Sequence, residues 1–258
     1  MKKCATAPRH SVDISEENGV RNLHFGSDWI QGAMRIARPW SLELAYTREM
    51  MAGLLLRPAK QWPRHALLIG LGAGSLAKFI YRHLPDCRIT VVEINPQVEF
   101  IARQYFKLPD DPRRLEVVIG CGADYMLSGE RQFDYILADG FDPEARAGAL
   151  DTLPFYQACR SRLSERGLFC TNLLGRNKGF EGSVERIKAA FDERVAVFPS
   201  CDSGNTIAFA TAGEAVDVSL AEMREQALAL KNETGLDLAP MISRLQLAHP
   251  LPESRLRI

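Results

Sequence analysis

Ala66-Leu67-Leu68-Ile69-Gly70-Leu71-Gly72-Ala73-Gly74-Ser75 is the stretch on which the fold turns. Its unbroken apolar start reads as a strand buried on both faces, and the glycines after it let the chain pass straight into a helix over 75–83. A strand that enters a helix through glycines brings bare backbone and the helix's first N–H groups up to a polar ligand. The same pattern recurs downstream about every 25 to 30 residues, as a parallel sheet with covering helices requires. Ile89–Ile94, Leu115–Ile119, Tyr135–Asp139 and Leu168–Asn172 read as buried strands, with helices expected near Gln97–Tyr105, Leu153–Leu163 and Ser183–Phe191. Ala196–Phe198 and Thr206–Thr211 form a last antiparallel pair, joined by the turn-rich Ser200–Asn205. The fold class is α/β: a doubly wound, mostly parallel sheet with an antiparallel last strand.

The first residues follow another rhythm. Leu23–Phe25 and Ala33–Ile36 pair as a short hairpin, and Leu42–Leu55 forms a helix that Pro58 and Pro63 end. After Val218, apolar Leu220, Met223, Ala227 and Leu230 keep a helical period before Pro240, Pro250 and Pro252 interrupt it. The stripe over 219–231 reads first as a helix covering the sheet and second as a homodimer face. The expected division is an N-terminal hairpin and helix region at 1–62, a Rossmann-like ligand-binding domain at 63–215 and a helical appendage at 216–258.

The 258 residues are 46% hydrophobic and 25% charged, an ordinary globular composition. Thirty-two Lys and Arg balance thirty-two Asp and Glu, so no net field favours nucleic acid or an anionic membrane surface. The apolar run at 66–77 is too short and too glycine-rich to span a bilayer, and no apolar stretch follows Lys2 and Lys3, so the expectation is cytoplasmic. The six cysteines contain no C-x-x-C pair, and neither a disulfide nor a zinc site is expected. His10, His24, His65, His83 and His249 lack metal-ligand spacing, so no metal is expected. Trp29, Trp40 and Trp62 are read as packing the N-terminal region, with Trp29 close to Gln31.

Chemistry gathers at the strand ends. Gly70, Gly72 and Gly74 make a loop for a nucleotide, and Glu93, ending the second strand, stands where an acid grips a ribose hydroxyl pair. The G-x-G-x-G-S loop is shorter than a dinucleotide fingerprint, and a sulfonium donor of the adenosylmethionine type fits it better than NAD. Between Asp134 and Asp151 lie Asp139, Asp142 and Glu144 with Arg146 as the one base, and these acids read together as an anionic wall. Glu144 and Asp151 are assigned to solvated loop. Asp139 and Asp142 are assigned to function, as paired carboxylates able to hold an amine and take its proton.

Asp139 to Tyr156, DGFDPEARAGALDTLPFY, resembles the D-S-S-D-P-x-G-P-A-x-x-L-F-x-x-x-F-Y gate segment of the spermidine synthase family without a gap. Leu42-Glu43-Leu44-Ala45-Tyr46 with Arg48-Glu49-Met50 is similar to that family's D-E-F-x-Y-x-E-M, and Ser203-Gly204-Asn205 to its P-S-G-Q/N turn. The resemblance implies a methyltransferase-like Rossmann fold and aminopropyl transfer from decarboxylated S-adenosylmethionine to putrescine or a related polyamine. It assigns Asp139 as general base, Asp142 to the acceptor, Tyr46 to the acceptor wall and Gln31 to the donor. Two departures stand out. Ala73 replaces an Asp that holds the donor's ammonium in the family, and Gly120-Cys121-Gly122 replaces a G-D-G motif whose Asp binds adenine. Cys121 and Gly122 are kept as the adenine site, with Asp124 as the nearest substitute acid, and Cys201 falls where an aromatic lines the family's polyamine channel. Two other readings stay open. One is methyl transfer from S-adenosylmethionine to a small amine, in keeping with Ala73 and the G-x-G-x-G loop. The other is a non-catalytic nucleoside-binding homologue.

Overall fold

The computed structural model describes residues 11–59, 61–141, 146–175, 179–201, 204–248 and 251–258. Asp142, Glu144 and Ser203, singled out above, lie outside the described residues, as do Cys4, His10 and His249.

The chain opens with β1 (Val12–Glu17), β2 (Val20–Phe25) and β3 (Ile30–Arg35), an antiparallel sheet in that order. The expected hairpin therefore has a third strand. Glu17 pairs with Val20, so Asn18 and Gly19 are the whole connection, at φ 51° and 74°. That is the two-residue turn whose twist matches its strands, and Asn-Gly is its preferred sequence. The expected helix over 42–55 is instead α1 (Ala45–Met50) and α2 (Gly53–Leu56). The break has a cause: the buried Tyr135 hydroxyl donates to the Met50 carbonyl, which a continuous helix would need for itself.

Then come β4 (His65–Ile69), α3 (Ser75–His83), β5 (Arg88–Glu93), α4 (Pro96–Tyr105), β6 (Leu115–Ile119), α5 (Gly122–Ser128), β7 (Phe133–Ala138), α6 (Leu153–Ser161), β8 (Leu163–Leu174), α7 (Phe180–Ala190), β9 (Val195–Val197) and β10 (Asn205–Ala210). They build one seven-stranded sheet in the order β6-β5-β4-β7-β8-β10-β9. The ladders are parallel from β6 to β8, and β10 runs antiparallel between β8 and β9. β4 is paired with β5 on one side and β7 on the other, which makes it the point where strand order reverses. In open sheets of this kind ligands bind beyond the carboxyl ends of the strands at that point.

Side-chain alternation sorts the core into two layers. Leu68, Val91, Leu137, Cys170, Ile207 and Phe209 pack with Met50, Phe79 and Met223 on one face. Leu67, Val92, Ile136, Phe169 and Ala208 pack with Met126, Phe155 and Ile187 on the other. A third cluster, Leu23, Met34, Ala73 and Phe106, joins the N-terminal sheet to the glycine turn. The tail adds β11 (Asp217–Ser219), α8 (Leu220–Thr234), α9 (Ala239–Ala248) and β12 (Arg255–Arg257), with β11 and β12 paired antiparallel. Leu220, Met223 and Ala227 enter the first core layer, and α8 packs against α2, α9 and β11. No helix among the described residues is long and apolar enough to cross a membrane.

Cys87, Cys159, Cys170 and Cys201 are buried thiols outside any disulfide. Cys121 is disulfide-bonded, which overturns the all-reduced expectation at that position.

Candidate active site

At the end of β4 the chain must pass directly beside the end of β7. A Cβ on Gly70 would lie 2.3 Å from the Asp139 carbonyl oxygen, and Gly70 holds φ at 97°. Only glycine fits that crossing. The amide of Asp139 in turn donates to the Ile69 carbonyl at 2.9 Å, fixing the acid against the glycine turn. Beyond this junction opens a cavity of about 1430 Å3.

Glu93, ending β5, is 7% exposed and lines the cavity. Its Oε2 accepts from the Leu71 amide and its Oε1 from the Asn95 amide, both at 2.9 Å. Burial raises its pKa, and the amides of Asn95, Leu71 and Ile94 oppose the rise. Of the roughly four acceptor positions of the carboxylate, three amides leave one open for an incoming hydroxyl. Cys121, Gly122 and Asp124 line the same part of the cavity from the start of α5, with Asp124 exposed in its first turn. Gln31 and Gly32 of β3 close it from above: a Cβ on Gly72 would sit 3.2 Å from the Gln31 carbonyl, and one on Gly32 would strike Ala73. Gly70 and Gly72 line the cavity, whereas Gly74 is not among its lining residues; it is the left-handed N-cap of α3, against Leu108.

On the first core face, three adjacent strands change from apolar to polar at the same edge. Leu137 is followed two residues on by Asp139, Cys170 by Asn172, and Ile207 on the antiparallel strand is preceded by Asn205. Period-two alternation sends these three side chains toward α1, whose Tyr46 and Thr47 also line the cavity. Asn172 Nδ2 donates to Asp139 Oδ1 at 2.9 Å, and Asn205 Nδ2 donates to Asn172 Oδ1 at 2.9 Å. The Tyr46 hydroxyl also bonds Asp139. Burial raises the Asp139 pKa, while the hydrogen bonds from Asn172 and Tyr46 pull it back. Tyr46 is raised well above the ordinary tyrosine value by burial and by the Asp139 charge.

The single anionic wall expected from 134–151 does not form among the described residues. Asp134 sits at the opposite end of β7, accepting from the amides of Arg64 and His65 and from Ser164. Asp151 is not solvated loop. It accepts from the Tyr156 and Ser183 hydroxyls and pairs with Arg186 at 2.6 Å, tying α6 to α7. Trp62 is buried against Tyr135, while Trp29 is 61% exposed at the cavity wall. Cys201 is near enough to Tyr46 to bear on its ionisation. No cluster of three or more His, Cys, Asp or Glu among the described residues is placed to hold a metal ion. Asn172 and Asn205 belong to the site although neither was assigned a role; the readable signal was a polar residue in phase with a buried apolar stripe.

Residues 43–196 match the spermine/spermidine synthase domain. A polyamine aminopropyltransferase of Neisseria meningitidis is 39% identical over 239 residues, spanning 93% of this chain and 90% of that one. The crystal structure of human methyltransferase-like protein 13 in complex with SAH is 28% identical, with a TM-score of 0.65 over 74% of this chain and 93% of that chain. A probable spermidine synthase from Corynebacterium glutamicum is 18% identical and shares the fold, with a TM-score of 0.69 over 88% of this chain and 91% of that chain.

Proposed function

Because the chain belongs to the spermine/spermidine synthase family, we propose that its cleft transfers an aminopropyl group from decarboxylated S-adenosylmethionine to putrescine or a related polyamine. The chain is an enzyme, a transferase. The observation that carries the reading is the placement of Asp139: a carboxylate lining the cavity, pressed against the glycine turn and hydrogen-bonded to Tyr46 and Asn172.

In this reading Glu93 takes the ribose hydroxyls, and Cys121, Gly122 and Asp124 flank the adenine. Gly70, Gly72 and Gln31 border the sulfonium end, and Tyr46 walls the acceptor. Asp142 is assigned to the acceptor by family resemblance alone. The reaction is a single in-line displacement. The amine lone pair forms a bond to the aminopropyl carbon beside sulfur, and the carbon–sulfur pair leaves with sulfur as a neutral thioether. The amine's surplus proton passes to the Asp139 carboxylate. A neutral leaving group needs no acid, so the protein's work is alignment and proton acceptance. Burial, by raising the Asp139 pKa, makes it a stronger base toward an ammonium.

Two observations favour a second reading, methyl transfer from S-adenosylmethionine. Ala73 is 2% exposed and offers no charge at the glycine turn, and the chain shares its fold and 28% identity with a methyltransferase-like protein. The experiment incubates purified protein with putrescine and each donor in turn, and mass spectrometry identifies the products. The proposal expects spermidine and methylthioadenosine from the decarboxylated donor. Methylated amine and S-adenosylhomocysteine from the carboxylated donor would overturn it, and donor binding seen by calorimetry with no product from either donor would leave the non-catalytic nucleoside-binding reading standing.

A further inference from the structure

Two asparagines on neighbouring strands do more than fill the sheet edge. Asn172 is 4% exposed, and both ends of its amide are engaged: Nδ2 donates to Asp139 Oδ1 and Oδ1 accepts from Asn205 Nδ2, each at 2.9 Å. The strand registers explain why they meet. Leu137 pairs with Cys170, so Asp139 and Asn172 follow at the same level; Asn172 pairs with Ile207, which makes Asn205 its diagonal neighbour. An amide has one donating and one accepting end, and a carboxylate only accepts. By donating to the Asn172 oxygen, Asn205 requires Asn172 to present its NH2 group to Asp139. A flipped Asn172 would set a carbonyl oxygen against a carboxylate oxygen.

We infer that Asn172, oriented by Asn205, is a positioning residue that holds Asp139 as a carboxylate with Oδ1 engaged, so that proton transfer from the acceptor amine goes to a fixed, ionised group. The inference rests on the proposed function for its catalytic meaning. The groups facing Asp139 are the Tyr46 hydroxyl from α1 and, from β8, Asn172 and the Cys170 thiol, with Cys201 beside Tyr46. Burial destabilises the charged carboxylate, and the Asn172 hydrogen bond is one of two that offset it. A hydrogen bond to a charged group corresponds to roughly one to two pH units of its titration.

The test follows the Asp139 carboxyl directly, by 13C NMR of protein labelled at aspartate carboxyls, with the resonance assigned by its loss in Asp139→Asn. Asn172→Leu is expected to move the titration midpoint up by roughly one to two units, and Asn205→Leu, which does not touch Asp139, up by less. The acid limb of kcat is expected to move by the same amount in each variant, with KM for the donor within about twofold. Midpoints unmoved in both variants overturn the inference. So does a fall in kcat with an unshifted pH profile, which is what mere loosening of the edge would give. Should Asn172→Leu fail to fold, Asn205→Leu decides alone. An inactive wild-type protein would sink the proposed reaction, while the NMR midpoints would still decide the positioning.

Discussion

Replacing Asp139 by asparagine keeps an oxygen for the Asn172 amide to bond but removes the charge that burial penalises. Two outcomes follow, of opposite sign. Turnover is expected to fall by roughly two orders of magnitude or more, because the proposed proton acceptor is gone, while donor affinity measured by calorimetry is unchanged. Stability rises. The folded-state pKa lies above the unfolded value of about 3.9, so the folded protein binds the proton more tightly. Between those two values stability falls as pH rises, and the wild type carries the full cost above its folded-state pKa. Thermal melts are therefore expected to show Asp139→Asn above wild type at pH 7. The gap should close as pH drops through that window and vanish below it. A variant less stable than wild type at pH 7 would mean that the charge is better solvated than its burial implies.

Among the elements, the glycines separate backbone strain from steric exclusion. Gly19 has φ 74°, and a methyl group placed on its Cα would meet nothing within 4 Å, so Gly19→Ala carries only the left-handed backbone penalty of about 1 kcal/mol. Gly70→Ala meets that penalty and an oxygen at 2.3 Å as well, so the ends of β4 and β7 must part and Asp139 move with them. Urea melts are expected to place Gly70→Ala well below Gly19→Ala, with turnover lost only in the former. The N-terminus of α8 offers a milder case. Ser219 and Glu222 form a reciprocal capping box, and Ser219→Ala is expected to cost about 1 kcal/mol without touching activity. These elements also mark how far the sequence could be read. The parallel strands were legible because they are buried on both faces and therefore continuously apolar, and Glu93 and Asp139 because they end such runs. β1 was not, since only Val12 and Ile14 point inward along it, although Asn18-Gly19 announces its turn. The break between α1 and α2 depends on Tyr135, distant in sequence, and Asp151 looked like loop because its partners Ser183 and Arg186 are long-range. The roles of Asn172 and Asn205 depend on which strands are neighbours, which no local pattern carries.

On the scale of the whole molecule, the sides of the cavity that the proposed function gives to donor and acceptor are supported by different parts of the chain. The proposed donor side comes from β3, the glycine turn, Glu93 and the start of α5, whereas Tyr46, on the proposed acceptor side, belongs to α1. α1 packs against β8 and β10 and is also tied to the tail, since the Arg244 guanidinium of α9 pairs with Glu49 of α1. Glu49 is buried at 6% side-chain exposure and Arg244 is at 30%, so the pair lies between the surface and core regimes. Arg244→Met is therefore expected to cost about 1–3 kcal/mol, because it removes a cation from a carboxylate that stays enclosed. Glu49→Gln combined with Arg244→Met should recover part of that loss, as no enclosed charge then remains. The functional consequence is directional. Loosening α1 displaces Tyr46 but not Glu93, so KM for the amine should rise while donor affinity holds. Urea midpoints for the single and double variants, with amine KM and donor Kd measured side by side, check the chain of support from tail to acceptor wall. An unchanged midpoint with an unchanged amine KM in Arg244→Met would show that α1 stands without the tail.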